Sequence, residues 1–434
     1  MKYKPYPNYK DSGIKWIGEI PEGWKILPIK GICELGRGRV ISNEEIGENE
    51  GAYPVYSSQT INNGEMGRTN TYNFSGEYVT WTTDGANAGT AFYRNEKFNC
   101  TNVCGTLKKR NNRIYMKLLP YILNHITKYY VRYDINPKLM NDMMARIEIF
   151  LSPLTEQIVI ANFLDKKTAE IDKLIEKDKK LIELLKEKRT VLINHVITKG
   201  LPVRRTQTGL DPNVKMKDSG IEWIGEIPEG WEVRRLRFNA LVNPSGKKVL
   251  SNPKTLVNFL PMEKVSEDGE YENESEIEYQ NVSTGYTYFE NNDVLVAKIT
   301  PCFENGKGTL VNNLKVGFGF GTTEFHIIRS YWHLIPRYLF YLTKTHLFRV
   351  TGEAFMKGTA GQKRISADFV KDFMMVTPPK IEQLEIVRHL DKATAKIDKT
   401  IQKIEQKIEL LEEYKKSLIH HTITGKIDVR EVKA

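Results

Sequence analysis

Apolar residues recur every three or four positions along two stretches of this chain, and they alternate over short runs between them. Ile171, Ile175, Ile182, Leu185 and Leu192 keep the three-four spacing with Lys and Glu between, which is the seam of a coiled coil. Ile397, Ile401, Ile404, Ile408, Leu411 and Leu418 repeat it in the same phase. Matched length and phase predict that the two helices pair with each other instead of lying apart as surface helices. Ser152-Pro153 suits a capped helix start. Ile158, Ile160, Phe163 and Leu164 then lead to Asp165 and Thr168, where a bend or second start is expected. Each helix closes on a last turn with His and a Gly beyond it, Asn194–Gly200 and His420–Lys426, so the histidines read as end-caps. Asp178 stands where the second helix has Ile404, and Lys188 where it has Tyr414. Charges in a seam are expected to fix its register at some cost in stability.

Between the helices the pattern shortens. Ala52–Tyr56, Glu77–Thr82 and Thr90–Tyr93 read as strands among Gly, Asn and Ser turns, and Met116–Tyr129 as a helix. In the later stretch Val257–Leu260, Asp293–Lys298, Thr309–Val311 and Glu324–Ile328 read as strands, and Pro336–Lys344 as a helix. The expected class is α+β, with two mixed domains separated by two long antiparallel helices. Such pairing predicts an internal pseudo-two-fold relation.

The chain also repeats itself. Lys10–Trp24 reads KDSGIKWIGEIPEGW and Lys217–Trp231 reads KDSGIEWIGEIPEGW, so fourteen of fifteen positions match, 207 residues apart. A second block, Glu156-Gln157…Leu164-Asp165…Thr168-Ala169…Ile171-Asp172, returns 226 residues later from Glu382 to Asp398. The interiors, about 25–150 and 232–375, share little, and the second is 19 residues longer. A period near 200 is too long for a solenoid and implies duplicated domains. One frame carries two different inserts.

Composition adds a partner class. The 434 residues carry 64 Lys and Arg against 54 Asp and Glu, a net charge of +10, which suits a polyanion and most simply nucleic acid. Glu263–Glu278 holds eight acids against one lysine, Lys264, so a phosphate-facing surface must exclude it. Cys33, Cys100, Cys104 and Cys302 are too scattered for a disulfide framework, and Cys100/Cys104 lack the neighbours that would complete a metal site. No stretch approaches a membrane span, and the first residues lack the apolar core of a secretory signal, so the expected compartment is the cytoplasm.

Gly317-Phe318-Gly319-Phe320-Gly321 formally resembles a nucleotide-binding loop. The alternating run behind it reads as strand, where such a loop needs a helix N-terminus. No phosphate-binding loop, zinc set, Ser-His-Asp spacing or base-methyltransferase tetrad is evident, so no catalytic site is expected. The inserts are instead rich in side chains that read bases or hold phosphates: Ser57, Ser58, Gln59, Thr60, Asn62, Asn63, Arg68, Asn87 and the cluster Lys108-Lys109-Arg110 in the first. Lys298, Lys307, Lys357, Gln362, Lys363 and Arg364 are the second set. Asp84, Asn99, Asn102 and Asn305 belong to the same loops. Gly-flanked Gln362–Arg364 is the most promising run.

Together, the IGEIPEGW segment and the EQ…LD-x-x-T-A-x-ID helix start resemble the specificity (S) subunit of type I restriction-modification systems, over the whole chain and in the family's order. The resemblance implies a first target-recognition domain with its repeated segment over 1–152 and a central conserved helical region over 153–200. A linker, repeated segment and second recognition domain would span 201–376, with a C-terminal helical region over 377–434. It implies a non-catalytic subunit that reads a bipartite, asymmetric DNA target. Two methyltransferase (M) subunits would use S-adenosylmethionine, and motor-nuclease (R) subunits ATP and Mg, with no cofactor in this chain. Thr168–Thr198 as a helix spans ~45 Å at ~1.5 Å per residue, or about 13 base pairs, so half-sites are expected about one DNA turn apart. The alternatives are a self-contained DNA methyltransferase and a coiled-coil scaffold without DNA specificity.

Overall fold

The computed structural model describes residues 3–14, 18–133, 136–201, 204–206, 209–211, 215–222, 224–272, 275–359 and 361–432. It divides into two units, residues 1–178 with 405–434, and residues 179–404.

Both units are built on the same frame. In the first, a hairpin pairs Tyr9–Asp11 with Glu19–Pro21, and Lys25–Pro28 then pairs antiparallel with Glu148–Leu151. In the second, Met216–Asp218 pairs with Glu226–Pro228, and Glu232–Arg235 with Met374–Thr377. The strand after each repeated segment thus meets the strand before each long helix. Every insert is closed at its neck by two strands of the frame.

The inserts differ. The first is a six-stranded sheet in the order 33–37, 104–109, 74–82, 91–100, 53–56, 65–69. It curls enough for Arg39 N to reach Cys100 O at 3.1 Å and Gly38 N to reach Cys104 O at 3.0 Å. The second has two four-stranded sheets, ordered 240–242, 325–330, 294–297, 308–310 and 276–278, 256–260, 318–321, 287–290. Val294–Ala297 is buried at all four positions, as a strand covered on both faces must be. The glycine run around 318–321 is strand, as its alternation predicts. The expected helices are shorter than read: Leu119–Ile126 with a 3-10 turn to Tyr129, and Pro336–Thr343.

The long helices run Leu154–Lys199 and Lys380–Ile423. No second start occurs at Asp165–Thr168, because the helix runs through it unbroken. Thr168 Oγ1 turns back to Leu164 O at 2.7 Å, an i−4 bond that a helix interior tolerates. Ser152 does not cap by its side chain either: its buried Oγ has no partner, while its carbonyl accepts from Gln157 Nε2 at 2.7 Å.

Within the first unit Asp172 meets Lys415 at 2.6 Å and Asp178 meets Lys407 at 2.8 Å, so the paired stretches run antiparallel. Asp178, a seam position, is buried and answered by that lysine. Within the second unit Arg189 meets Asp398 at 3.1 Å, and Ile193, Val196 and Ile197 share one core with Ile386, Val387 and Leu390. The expected linker 201–213 lies partly outside the described residues; its described part pairs 204–206 with 209–211. Among the described residues no helix is long and apolar enough to cross a membrane.

Candidate nucleic-acid interface

The repeated motifs are a docking device for the inserts. Trp24 Nε1 donates to Glu156 Oε1 at 2.9 Å, and Trp231 Nε1 to Glu382 Oε2 at 2.8 Å. The next residue grips the insert. Gln157 accepts from Tyr115 N at 2.8 Å and donates to Arg113 O at 2.9 Å, while Gln383 accepts from Ile335 N at 2.8 Å and donates to His333 O at 3.1 Å. Two turns on, Asp165 accepts the Tyr121 hydroxyl at 2.8 Å and Asp391 that of Tyr341 at 2.6 Å. These bonds, buried or half-buried except for the exposed Tyr121–Asp165 pair, fix each insert and its repeated segment to the helix.

The ends of the helices are less alike. His420 is no end-cap: its Nδ1 lies 2.8 Å from His125 Nε2 of the 119–126 helix. The equivalent position in the second unit is Asn194, whose Oδ1 accepts from His346 N at 2.7 Å. Burial, then the neighbouring His420, brings His125 down to about 4. Burial, then His421, lowers His420.

In the first insert the candidates gather on the 57–68 loop. Ser57 N donates to Gly64 O at 2.9 Å, the Gln59 amide reaches Glu65 O, and Arg68 is held by Glu65 at 2.8 Å. Ser58 is half-buried and Thr60 exposed. Asn62 and Asn63 both sit in the left-handed region, at φ 51° and 55°. Beneath them lies Arg94, 2% exposed, stacked 3.5 Å over the Tyr56 ring and donating to Asn63 O at 2.7 Å. Sequence reasoning missed Arg94. The strand read from the sequence ended at Tyr93, one residue short of it, whereas the strand runs Ala91–Cys100. Lys108 and Lys109 end strand 104–109, with Lys108 over the Tyr78 ring and Arg110 N bonded to Ile32 O at 2.9 Å. Asn87 is exposed, and its carbonyl takes the Thr82 hydroxyl. Asn102 is exposed and Asp84 pairs with Lys138. Asn99 is buried and ties Thr69 and Thr71 together at 3.0 and 2.6 Å, which makes it a structural amide.

The second set converges. Lys357 N bonds Arg364 O at 3.0 Å, and the described residues 361–364 lead to the strand end, where Ile365 N meets Lys298 O at 2.9 Å. Lys307 N bonds Cys302 O at 2.8 Å close by, and Asn305 is exposed. Gln362 and Lys363 face solvent. Arg364 is exposed too, but its guanidinium forks onto Glu324 at 2.9 Å and thereby holds that carboxyl below its usual range. A cavity of about 270 Å³ opens beside Lys298, bounded by Asn243–Lys247 and Tyr288. Lys247 there is a further exposed cation that sequence reasoning passed over.

The acidic segment is turned to other work. Asp268 takes Arg189 of the first long helix at 3.1 Å, and Glu276 takes Lys315 at 2.8 Å. Buried Lys344 gives its ammonium to the carbonyls of Glu267, Gly306 and Gly308 at 2.9, 2.6 and 2.9 Å. Cys33, Cys100 and Cys104 are buried thiols, and burial pushes Cys33 up to about 12 and Cys104 to about 11.

A frame that occurs twice, gripping two unlike sheets, narrows the family. Residues 21–184 and 228–410 match the type I restriction modification DNA specificity domain. The chain belongs to that family. It is 35% identical over 209 residues to the EcoAI specificity subunit of Escherichia coli, covering 48% of this chain and 35% of that protein. It is 42% identical over 167 residues to the MpnII specificity subunit of Mycoplasma pneumoniae, covering 37% and 50%. A type I specificity subunit N-terminus of the same organism is 51% identical over 142 residues, 32% of this chain and 76% of that one. Most of these matches span about half the relative's length or less. Among solved structures, a chain from a type I restriction-modification assembly superposes with a TM-score of 0.66 at 12% identity, covering 93% of this chain and 98% of that one. The HsdS subunit of Thermoanaerobacter tengcongensis gives 0.51 at 12%, covering 94% and 98%. Both show the fold.

Proposed function

We propose that this chain is the non-catalytic DNA-reading subunit of a type I restriction-modification system. Each insert recognises half of a bipartite, asymmetric target, and the paired helices set the gap. The observation that carries this reading is the repeated grip of Trp, Glu, Gln and Asp on two unlike sheets. Such a frame keeps two readers in equivalent settings while leaving each free to choose its own bases. Family membership supports DNA as the ligand, as do the exposed cations Lys357 and Lys363.

The reading includes partners. Two M subunits supply S-adenosylmethionine chemistry and R subunits supply ATP- and Mg-dependent work in the cytoplasm, so this chain needs no cofactor. Exposed Leu174 and Leu410 in the first unit, and Leu181, Leu184 and Val191 in the second, leave apolar helix surface for docking them. The test is a map of methylated adenines in cells expressing this chain with its methyltransferase. The expected result is two unlike half-sites at one fixed separation. Matched seven-residue insertions in both helices, ~10 Å at ~1.5 Å per residue, should widen the gap by about three base pairs. Methylation at a single uninterrupted site, or a gap unmoved by the insertions, refutes the proposal.

A further inference from the structure

The 57–64 loop of the first unit is built in a way that stability alone does not explain. Arg94 is among the largest fully buried side chains, yet it has no carboxylate within ion-pair reach among the described residues. Nearby Glu96 is taken by the Tyr56 hydroxyl at 2.6 Å. The guanidinium has one carbonyl, Asn63 O, a long contact to Thr80 Oγ1 at 3.3 Å, and an Nη1 with no hydrogen-bond partner. Its faces lie 3.5 Å over the Tyr56 ring and 4.9 Å over that of Phe92, but without a paired carboxylate the buried cation still costs more than an aliphatic side chain of similar volume.

Its cost goes into holding a loop. Gly64, at φ +83°, brings the backbone so close that a Cβ there would stand 3.3 Å from Arg94 Nη2 and 3.2 Å from Gln59 O. Directly before it, two consecutive asparagines adopt left-handed backbone, which Asn tolerates better than other residues with a side chain and which sets the direction of both amides. The side-chain amides of Asn62 and Asn63 are exposed and have no protein partner among the described residues. Ile61 beside them is 83% exposed. The loop therefore presents one aliphatic and two free amides on a fixed backbone.

We propose that residues 61–63 are the base-reading tip of the first unit, selecting an A·T pair, with Arg94 as the positioning residue beneath it. An Asn amide matches adenine N6 and N7 in the major groove, and an aliphatic side chain matches the thymine methyl. This rests on the DNA-reading function above and deepens it by naming the reader and the base pair.

The test selects random duplexes with the full-length chain and compares the enriched sequences of four proteins. Asn62→Gly with Asn63→Gly keeps the left-handed backbone and deletes the amides. Ile61→Ala removes the aliphatic, and Arg94→Met removes the guanidinium at similar volume. The expected result is about a tenfold loss of preference for A·T at one position of one half-site in each variant, with the other half-site and the salt dependence unchanged. Arg94→Met should melt no lower than the parent. If it does, the glycine pair still decides the case. An enriched wild-type profile that the glycine pair leaves untouched overturns this inference alone. A wild type that enriches nothing overturns the DNA-reading function and this inference with it.

Discussion

Trp231 donates its indole N–H to Glu382 Oε2 at 2.8 Å across 151 residues of chain, and Trp24 does the same to Glu156 132 residues away. The last residue of the repeated segment is thus latched to the first turn of each unit's own long helix. The Glu156 carboxylate also takes the Tyr6 hydroxyl at 2.7 Å, which burial and then this bond keep protonated far above its usual value.

Removing that carboxylate leaves two buried donors unanswered. Glu156→Ala should destabilise the first unit by about 3 kcal/mol, since bonds to a charged group are each worth ~1.5–3 kcal/mol. Urea unfolding followed by tryptophan fluorescence measures this. A loss under ~1 kcal/mol would mean water replaces the carboxylate.

The His125–His420 pair sets a pH dependence. Both rings are held below the ordinary imidazole value, so the unfolded chain binds the extra proton more readily than the folded one. Stability from this pair is full above about 6.5 and falls as pH drops towards about 4, where His125 charges in the folded state. Lys128 faces both rings and Lys426 faces His420, adding to the repulsion. In melts between pH 7.5 and 4.5, His420→Asn, which installs the residue found at the matching site of the first long helix, Asn194, should fall less steeply than the parent. Parallel curves would remove the pair from the account.

Lys344 binds three carbonyls from two loops, and burial draws its ammonium down to about 7. Lys344→Met fills the same space and leaves all three acceptors dry. The expected loss is about 1–3 kcal/mol, the range for leaving buried acceptors unsatisfied when the charged donor is removed. Chemical denaturation of the variant decides it; a neutral substitution would show that water enters beside Gly306.

Arg364 and Lys363 should behave differently despite adjacent positions. The Lys363 side chain is exposed, whereas Arg364 is committed to Glu324. Lys363→Ala should lower the salt slope of DNA binding by about 1, one phosphate contact, while Arg364→Ala lowers it less. Titrations at several salt concentrations distinguish them, and equal slopes for both variants would count against the assignment.

The helices and frame could be read from the chain because they obey periodic rules: three-four spacing for the seam and near-identity for IPEGW. Where a local rule competed with a long-range partner, reading failed. His420 looked like a cap because its ring partner is 295 residues away. Thr168 looked like a helix start, although its hydroxyl can satisfy itself one turn back. Candidate interface residues could be picked out by type and loop position, and the structure leaves Asn62 and Asn63 exposed on a loop. Arg94 and Lys247 were not, since one is chosen by what lies above it and the other by the cavity it borders. Asn99 had the right chemistry on the wrong face.

Gly425, just past the second long helix, packs against Pro21 and Trp24, and Lys4 bridges Asp428. Gly200, past the first, packs against Pro228 and Trp231. Each rod therefore ends on the other copy's tryptophan. A socket spelled the same way in both units receives the glycine end of either rod.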